Sequence, residues 1–324
     1  MAHGSAPPGG AAVAGRLLRL LAALALAMVA LLVTLLTVLD GPTAWRQLNG
    51  RVALNTLRQG ALTRSYRVYR PAALPSRPGL VVVLHGADGS GQQVERQSGF
   101  DAQADRLGWI AVYPDGVEDG WEPFGCCHHA GADDVAFIAQ VVDGLERSDG
   151  VDPGRVYVTG ISRGGMMAYR LACELSSRVA AIAPIEGNMA DSAGSAGAVP
   201  CRPDRPVSVL AIHGSDDLEI PIDGGRSKLN LEEVSYAPLT DVIADWRRLD
   251  ACGTGDSVTD SGPSTTTEWR CEDASVVETL VIHGGGHTWP GAPLANLPWS
   301  PGGMVDASGV VADFFAAHPR GAPA

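Results

Sequence analysis

Two periods alternate along most of the chain. The runs Leu80-Val81-Val82-Val83-Leu84 and Trp109-Ile110-Ala111-Val112-Tyr113 are apolar at every position, as expected of strands buried on both faces of a sheet. Arg155 to Thr159, Val179 to Pro184, Val207 to Ile212 and Val276 to Ile282 repeat the theme, and Ser65 to Tyr69 alternates like an edge strand. Between them lie stretches of helical spacing. From Asp133 to Leu145, the residues Val135, Ile138, Val141, Val142 and Leu145 share one side, while Asp133 and Asp134 stand at the start, where carboxylates complement the helix dipole. Gly164 to Glu174, Pro238 to Leu249 and Ala307 to Ala317 predict further helices. Alternating helices and wholly apolar strands predict an α/β domain with a mostly parallel central sheet and helices on both faces.

The amino end has a different pattern. From Leu20 to Leu39 no charge interrupts the chain, and only Thr34 and Thr37 are polar. A helix of that length reaches across a bilayer core. Arg16 and Arg19 precede it, and the run ends Thr37-Val38-Leu39-Asp40 without the small-residue pattern of a signal-peptidase site. This predicts a tail over 1–16, an uncleaved transmembrane signal anchor over 17–39 and a linker over 40–61. The following domain would then be held at the cell membrane, facing outside; the alternative is a cleaved signal and secretion.

The six cysteines, Cys126, Cys127, Cys173, Cys201, Cys252 and Cys271, all follow the anchor, which suits an oxidising compartment. Cys252 and Cys271 are expected to pair across a surface excursion between a helix and a strand, contributing about 3 kcal/mol. A free buried thiol suits Cys173, which lies in an apolar helix. The net charge of −12 and the lack of a basic stripe exclude a nucleic-acid partner. Composition says nothing of oligomeric state.

The strongest chemical signal is Gly160-Ile161-Ser162-Arg163-Gly164, between a buried strand and a helix. A serine hydroxyl is a weak nucleophile, so it must be presented on a tight turn beside a base, with glycines letting that turn approach its neighbours. A bare G-x-S-x-G is common; the strand before and helix after make this one specific to the α/β-hydrolase fold. The competing explanation is a serine that caps the helix. His287 follows the strand Val276 to Ile282 in a glycine-rich loop, Gly284-Gly285-Gly286-His287, at the sheet end where active sites gather, whereas His283 is still attached to the strand. Asp216 and Asp217 both sit just past the strand Val207 to Ile212, and either is in reach of an imidazole. His213, just before them, reads as a structural turn residue. An oxyanion hole would use the N–H of Arg163 and one from the loop His85 to Gly91, with Ala87 the candidate. That loop matches no phosphate-binding pattern. Trp121 either packs or lines the cleft. The adjacent Cys126-Cys127-His128-His129 cannot all converge on one ion, so neither metal nor cofactor is expected.

Five segments, LVVVLHGADGSG, DDVAFI, GISRGGMMAYRLACE, RPVSVLAIHGSDD with IPIDGG, and GGGHTWPG, make the sequence resemble the polyhydroxybutyrate depolymerase and feruloyl esterase family, extracellular serine esterases related to carbohydrate esterase family 1. The resemblance covers roughly residues 62 to 317. It implies the triad Ser162, Asp217 and His287, and places Trp121 and Trp289 beside the acyl or sugar-side pocket, with His85 a further substrate-side candidate. Family members often carry a small or amide residue where this chain has Arg163. The expected activity is hydrolysis of small-molecule or polymeric acyl esters by a catalytic domain over 62–318, followed by a tail over 319–324. The alternatives are an acyltransferase or peptidase using the same triad, or a non-catalytic envelope binding protein.

Overall fold

A computed structural model describes residues 51–124, 132–191, 201–229, 234–292 and 305–321, together with Leu21, Leu24, Ala27 and Met28. The chain divides into two compact units, Met1–Asn49 and Gly50–Ala324. In the first, the four described residues are helical. The expected membrane anchor over 17–39 is corrected here. A span needs about 20 continuous helical apolar residues, and among the described residues no helix is long and apolar enough to cross a membrane. The transmembrane helix, the membrane partner and the membrane localisation inferred from it fall together. Most of 17–39, like the tails 1–16 and 322–324, lies outside the described residues.

The second unit is built on one sheet. A hairpin of β1 (Val52–Gln59) and β2 (Leu62–Tyr69) turns at Gly60, whose φ of +59° suits glycine. Then come β3 (Leu80–Leu84), the short helices α1 (Gly91–Ser98) and α2 (Phe100–Leu107), β4 (Ile110–Pro114) and α3 (Asp134–Asp149). Next follow β5 (Val156–Ile161), α4 (Arg163–Glu174), β6 (Ala181–Ile185) and β7 (Ser208–Gly214). A two-stranded ribbon, β8 (Gly225–Arg226) with β9 (Ser235–Tyr236), leads into α5 (Leu239–Leu249). The unit closes with β10 (Ser257–Asp260), β11 (Ser264–Arg270), β12 (Val276–Ile282) and α6 (Ala307–Ala317).

Among the described residues the sheet order is β1-β2-β4-β3-β5-β6-β7-β12-β11-β10. The six strands from β4 to β12 are parallel, and antiparallel pairs flank them on both sides. Residues alternate between two cores. Leu80, Val82 and Leu84 pack toward α3, α4 and α5, where Val141, Met166 and Trp246 lie, while Val81 and Val83 pack toward α1, α2 and α6, with Phe100 and Phe315. After β3 the chain moves out to β4 and then returns to place β5 on the other side of β3. The carboxyl ends of β3 and β5 therefore meet at a topological switch point, where open sheets bind ligands.

Strand β1 lies within the stretch expected as a linker; its alternating exposure is that of an edge strand with one face covered. Cys252 and Cys271 are disulfide-bonded. Cys173 is not a free thiol, because it bonds Cys201 and ties the end of α4 to the segment entering β7.

Candidate active site

Ser162 occupies the turn between β5 and α4 with φ +57° and ψ −123°. A residue bearing a Cβ adopts this backbone at a cost of roughly 1–3 kcal/mol, so the surroundings must enforce it. They do so by close approach. A Cβ on Gly164 would lie 2.4 Å from the Leu84 carbonyl oxygen and 2.5 Å from that of His85, and one on Gly160 would lie 2.7 Å from Leu84 O. The Ser162 N–H donates to Ile185 O at 2.9 Å, fixing the turn to the end of β6. The hydroxyl does not cap α4, so the capping explanation fails.

The loop after β3 runs beside this turn. His85 is buried at its root; its Nδ1–H donates to Gly86 O at 2.7 Å and its Nε2 accepts the Gly116 N–H at 2.9 Å. Burial lowers its pKa, which agrees with a neutral imidazole used as scaffold. The Trp121 indole N–H donates to His85 O at 3.0 Å, and the two rings lie 4.9 Å apart. A cavity of about 340 Å³ opens here, lined by His85, Ala87, Ser162, Arg163, Tyr236 and His287 among others. Trp121 and Trp289 are both buried in the core and are not among the described residues lining it. Trp289 instead donates its indole N–H to Ser308 Oγ at 2.9 Å. The segment 125–131, with Cys126, Cys127, His128 and His129, lies outside the described residues.

Asp217 and His287 come from the loops after β7 and β12, two neighbouring parallel strands. The Nδ1–H of His287 donates to Asp217 Oδ2 at 2.7 Å. Asp217 Oδ1 accepts the N–H groups of Glu219 at 2.7 Å and Ile220 at 3.0 Å. Burial opposes ionisation of Asp217, but the bonds from His287 and Ile220 outweigh it and hold the carboxyl below its usual pKa. Asp216 is exposed and bonds Ser215, and His283 bonds Gly262 and Thr265 on the hairpin side. Among the described residues Ser162 Oγ makes no hydrogen bond; the Nε2 of His287 faces Glu219 Oε2 at 3.3 Å.

Two neighbours, Glu186 and Glu219, were missed in the sequence, and a third, His213, read there as a structural turn residue, belongs to the site. Glu186 caps the end of β6 with φ +47°, and both its oxygens accept the Gly214 N–H, at 3.0 and 2.9 Å. His213 is buried in the site, 3.6 Å from Asp217 Oδ2, and donates Nε2–H to Ile220 O at 2.8 Å. Glu219 lines the cavity. The available signal was an acidic residue directly following the apolar strand of β6, beside a glycine, at the active end of the sheet. Glu186, Asp217 and His287 each offer a metal-ligand atom, all within 4.8 Å of one another. The Nδ1 of His287 is engaged by Asp217.

A serine strained onto a strand-to-helix turn, opening on one cavity with a carboxylate-held imidazole, defines a serine hydrolase of the α/β-hydrolase class. Sequence comparison narrows the class. The family described as Esterase PHB depolymerase matches residues 64–219. NocK of Nocardia uniformis subsp. tsuyamanensis, which carries the name of an esterase, is 34% identical over 258 residues, 73% of each chain. The chain belongs to this family of polyhydroxybutyrate depolymerase-like and feruloyl esterase-like serine esterases. Feruloyl esterase B of Piromyces equi is 27% identical over 64% of this chain, which spans only 39% of that longer protein. The acetyl xylan esterase structure from Aspergillus awamori has a TM-score of 0.56 at 20% identity, covering 74% of this chain and 95% of its own, and so shares the fold.

Proposed function

We propose that the chain is a carboxylesterase working through an acyl-enzyme, with Ser162 as nucleophile, His287 as general base and then acid, and Asp217 as the group that holds the imidazole. The observation that carries this reading is the 2.7 Å bond from His287 Nδ1 to a buried, ionised Asp217, on the same cavity as Ser162. That bond fixes the tautomer that leaves Nε2 able to take the serine proton. Attack on the ester carbonyl makes a tetrahedral oxyanion, for which the N–H groups of Arg163 and Ala87 are the proposed donors. Its collapse expels the alcohol, protonated by His287, and water then releases the acid.

The substrate class we infer is acyl esters of small or medium size, hydroxycinnamoyl, acetyl or hydroxyalkanoate, from either small molecules or polymers. It is supported by the company this chain keeps among relatives named for feruloyl and acetylxylan esters, and by a cavity wall carrying Gln93, Gln97, Ser227 and Tyr236, which suits a hydroxylated partner. The disulfides suit an oxidising compartment.

The test is turnover of p-nitrophenyl acetate and butyrate with a serine-reactive phosphonate control, followed by feruloyl, acetyl-xylan and hydroxybutyrate substrates. Phosphonate on Ser162 with loss of turnover supports the reading. Labelling with transfer to an added alcohol or amine in preference to water would assign acyl transfer, and a folded protein that neither labels nor turns over would leave a binding role.

A further inference from the structure

The carboxyl of Glu186 lies behind the acid of the triad, where the chemistry proposed above does not use it. It is buried to 1% exposure, as Asp217 is to 2%. Its backbone is held in the left-handed region at φ +47°, with the N–H bonded to Ile212 O at 2.9 Å. Glycine would take this conformation at no steric cost, whereas a glutamate here bears local strain. The surroundings provide one backbone donor, Gly214 N–H, and His213 at 3.8 Å, whose Nε2–H already points to Ile220 O. Two carboxyl groups packed together in a buried place do not both ionise.

We propose that Glu186 is a neutral carboxylic acid whose O–H donates to Asp217, making it a positioning residue in a relay that runs Glu186, Asp217, His287. This rests on the triad reading above. The proton is shared and not transferred in turnover: Glu186 keeps it, Asp217 stays an anion, and the proton from Ser162 resides on His287 in the tetrahedral intermediate.

The groups that act on the pair come from several elements. His213 stands on β7; Asp217 and Glu219 follow that strand; His287 follows β12; Tyr236 stands on β9. The Glu186 and Asp217 carboxyls come within 4.8 Å of each other and flank the same His213 Nε2, at 3.8 and 3.6 Å, and burial, as the largest influence, raises the Glu186 pKa well above the ordinary carboxyl value. Asp217 is held below that value. Asp217 accepts three N–H donors, from His287, Glu219 and Ile220, which favour its anion, whereas Glu186 accepts only the Gly214 N–H; the donors therefore assign the shared proton to Glu186, in the same sense as the two shifts.

The function of such a donor is to take up part of the Asp217 charge. Without it the carboxylate attracts the imidazolium more strongly, and His287 becomes neutral, and able to act as base, only at higher pH. A glutamine would keep both contacts, its carbonyl accepting Gly214 N–H and its amide donating to Asp217. An alanine would keep neither.

The experiment compares wild type, Glu186→Gln and Glu186→Ala by kcat/KM against pH on p-nitrophenyl butyrate, with thermal melting to check folding. Glu186→Gln is expected to stay within about threefold of wild type with an unmoved acidic limb. Glu186→Ala is expected to lose about 10- to 100-fold and to move that limb up by about one pH unit. A Gln variant as impaired as Ala, or an Ala variant whose limb stays in place, overturns the proposal. Infrared difference spectra supply a readout independent of turnover. In the wild-type minus Glu186→Gln difference at neutral pH, where the contributions of Asp250 and Glu278 cancel, the carbonyl stretch of one protonated carboxylic acid is expected; its absence from that difference also overturns the proposal. Phosphonate labelling of the wild type separates the two levels: no labelling at Ser162 sinks the triad reading itself, whereas labelling with unchanged Glu186 variants sinks only the relay.

Discussion

Glu219 Oε2 stands 3.3 Å from His287 Nε2, on the nitrogen that has to face Ser162 for the chemistry to begin. The imidazole is therefore held between two carboxylates, Asp217 on Nδ1 and Glu219 on Nε2. Asp217 is buried, whereas Glu219 is more than a third exposed, so it can swing into solvent at little cost and its field is screened by salt. Replacing it with glutamine removes the charge that faces Nε2 while keeping the side chain's size. The kcat/KM of Glu219→Gln is expected to depend less on ionic strength than that of the wild type. Hydrolysis rates at two salt concentrations check this; an equal salt dependence would mean that Glu219 leaves Nε2 before the rate-limiting step.

Ser162 offers a separation of stability from chemistry. Ser162→Ala is expected to lower kcat by about 10⁴- to 10⁶-fold while changing folding stability by less than about 1 kcal/mol. Because φ is +57°, Ser162→Gly should be at least as stable as Ser162→Ala, and equally inactive. Melting curves and hydrolysis rates on the same preparations decide it. A glycine variant clearly less stable than the alanine one would mean that the turn is not strained.

The parts legible in the sequence are those governed by local pattern. Leu80–Leu84 is buried at every position, as an unbroken apolar run predicts. The helices α1 and α2 were not foreseen because each has only eight residues, too few for a 3.6-residue period to emerge; Val94 is the only aliphatic side chain in α1. What encodes their ends is glycine, at Gly99 and Gly108, each in the left-handed conformation. In the site, Ser162 and His287 could be nominated from strand-end position, whereas position left Asp216 and Asp217 open and the family resemblance chose Asp217. The indoles of Trp121 and Trp289 went to the core because each N–H found a partner there, His85 O and Ser308 Oγ, which spacing does not reveal. Glu186 was missed because its significance lies in contacts with Gly214 and His213, about 30 residues away in sequence, and His213 was read as a turn residue because spacing does not show which strand-end side chains face the site.

The carboxyl of Asp250 gives a pH signature away from the site. It is buried, accepts Val207 N–H at 3.3 Å on Oδ2, and among the described residues has no partner for Oδ1. Burial raises its pKa to about 7, against an ordinary value near 3.8. The unfolded chain thus loses this proton near pH 4 while the folded chain keeps it to about 7, so stability falls as pH rises through that window. Glu278, raised by burial to about 7 beside Glu268, contributes in the same sense. Asp250→Asn should flatten the decline and be more stable at pH 8 than wild type by roughly 2–4 kcal/mol. Denaturant melts at pH 5 and pH 8 measure both; a parallel decline in the two proteins would show that Asp250 does not titrate in this window.

Two glycines provide a matched test of whether close backbone approach is what builds the nucleophile turn. In α4, a Cβ on Gly164 would collide with backbone oxygens of Leu84 and His85 at 2.4 and 2.5 Å, neither of which can move without displacing the loop that carries Ala87. In α3, Gly144 has nothing within 4 Å of the added atom. Gly144→Ala should stabilise by about 0.5–1 kcal/mol through helix propensity alone and leave hydrolysis unchanged. Gly164→Ala has the same intrinsic preference for helix, yet it is expected to destabilise by about 1–3 kcal/mol. It should also lower kcat by at least about 100-fold, because the turn and the adjoining loop are pushed apart and the reacting groups no longer meet in register. If Gly164→Ala were instead stabilised like Gly144→Ala, with activity retained, the tight packing of α4 against the end of β3 would not be what presents Ser162.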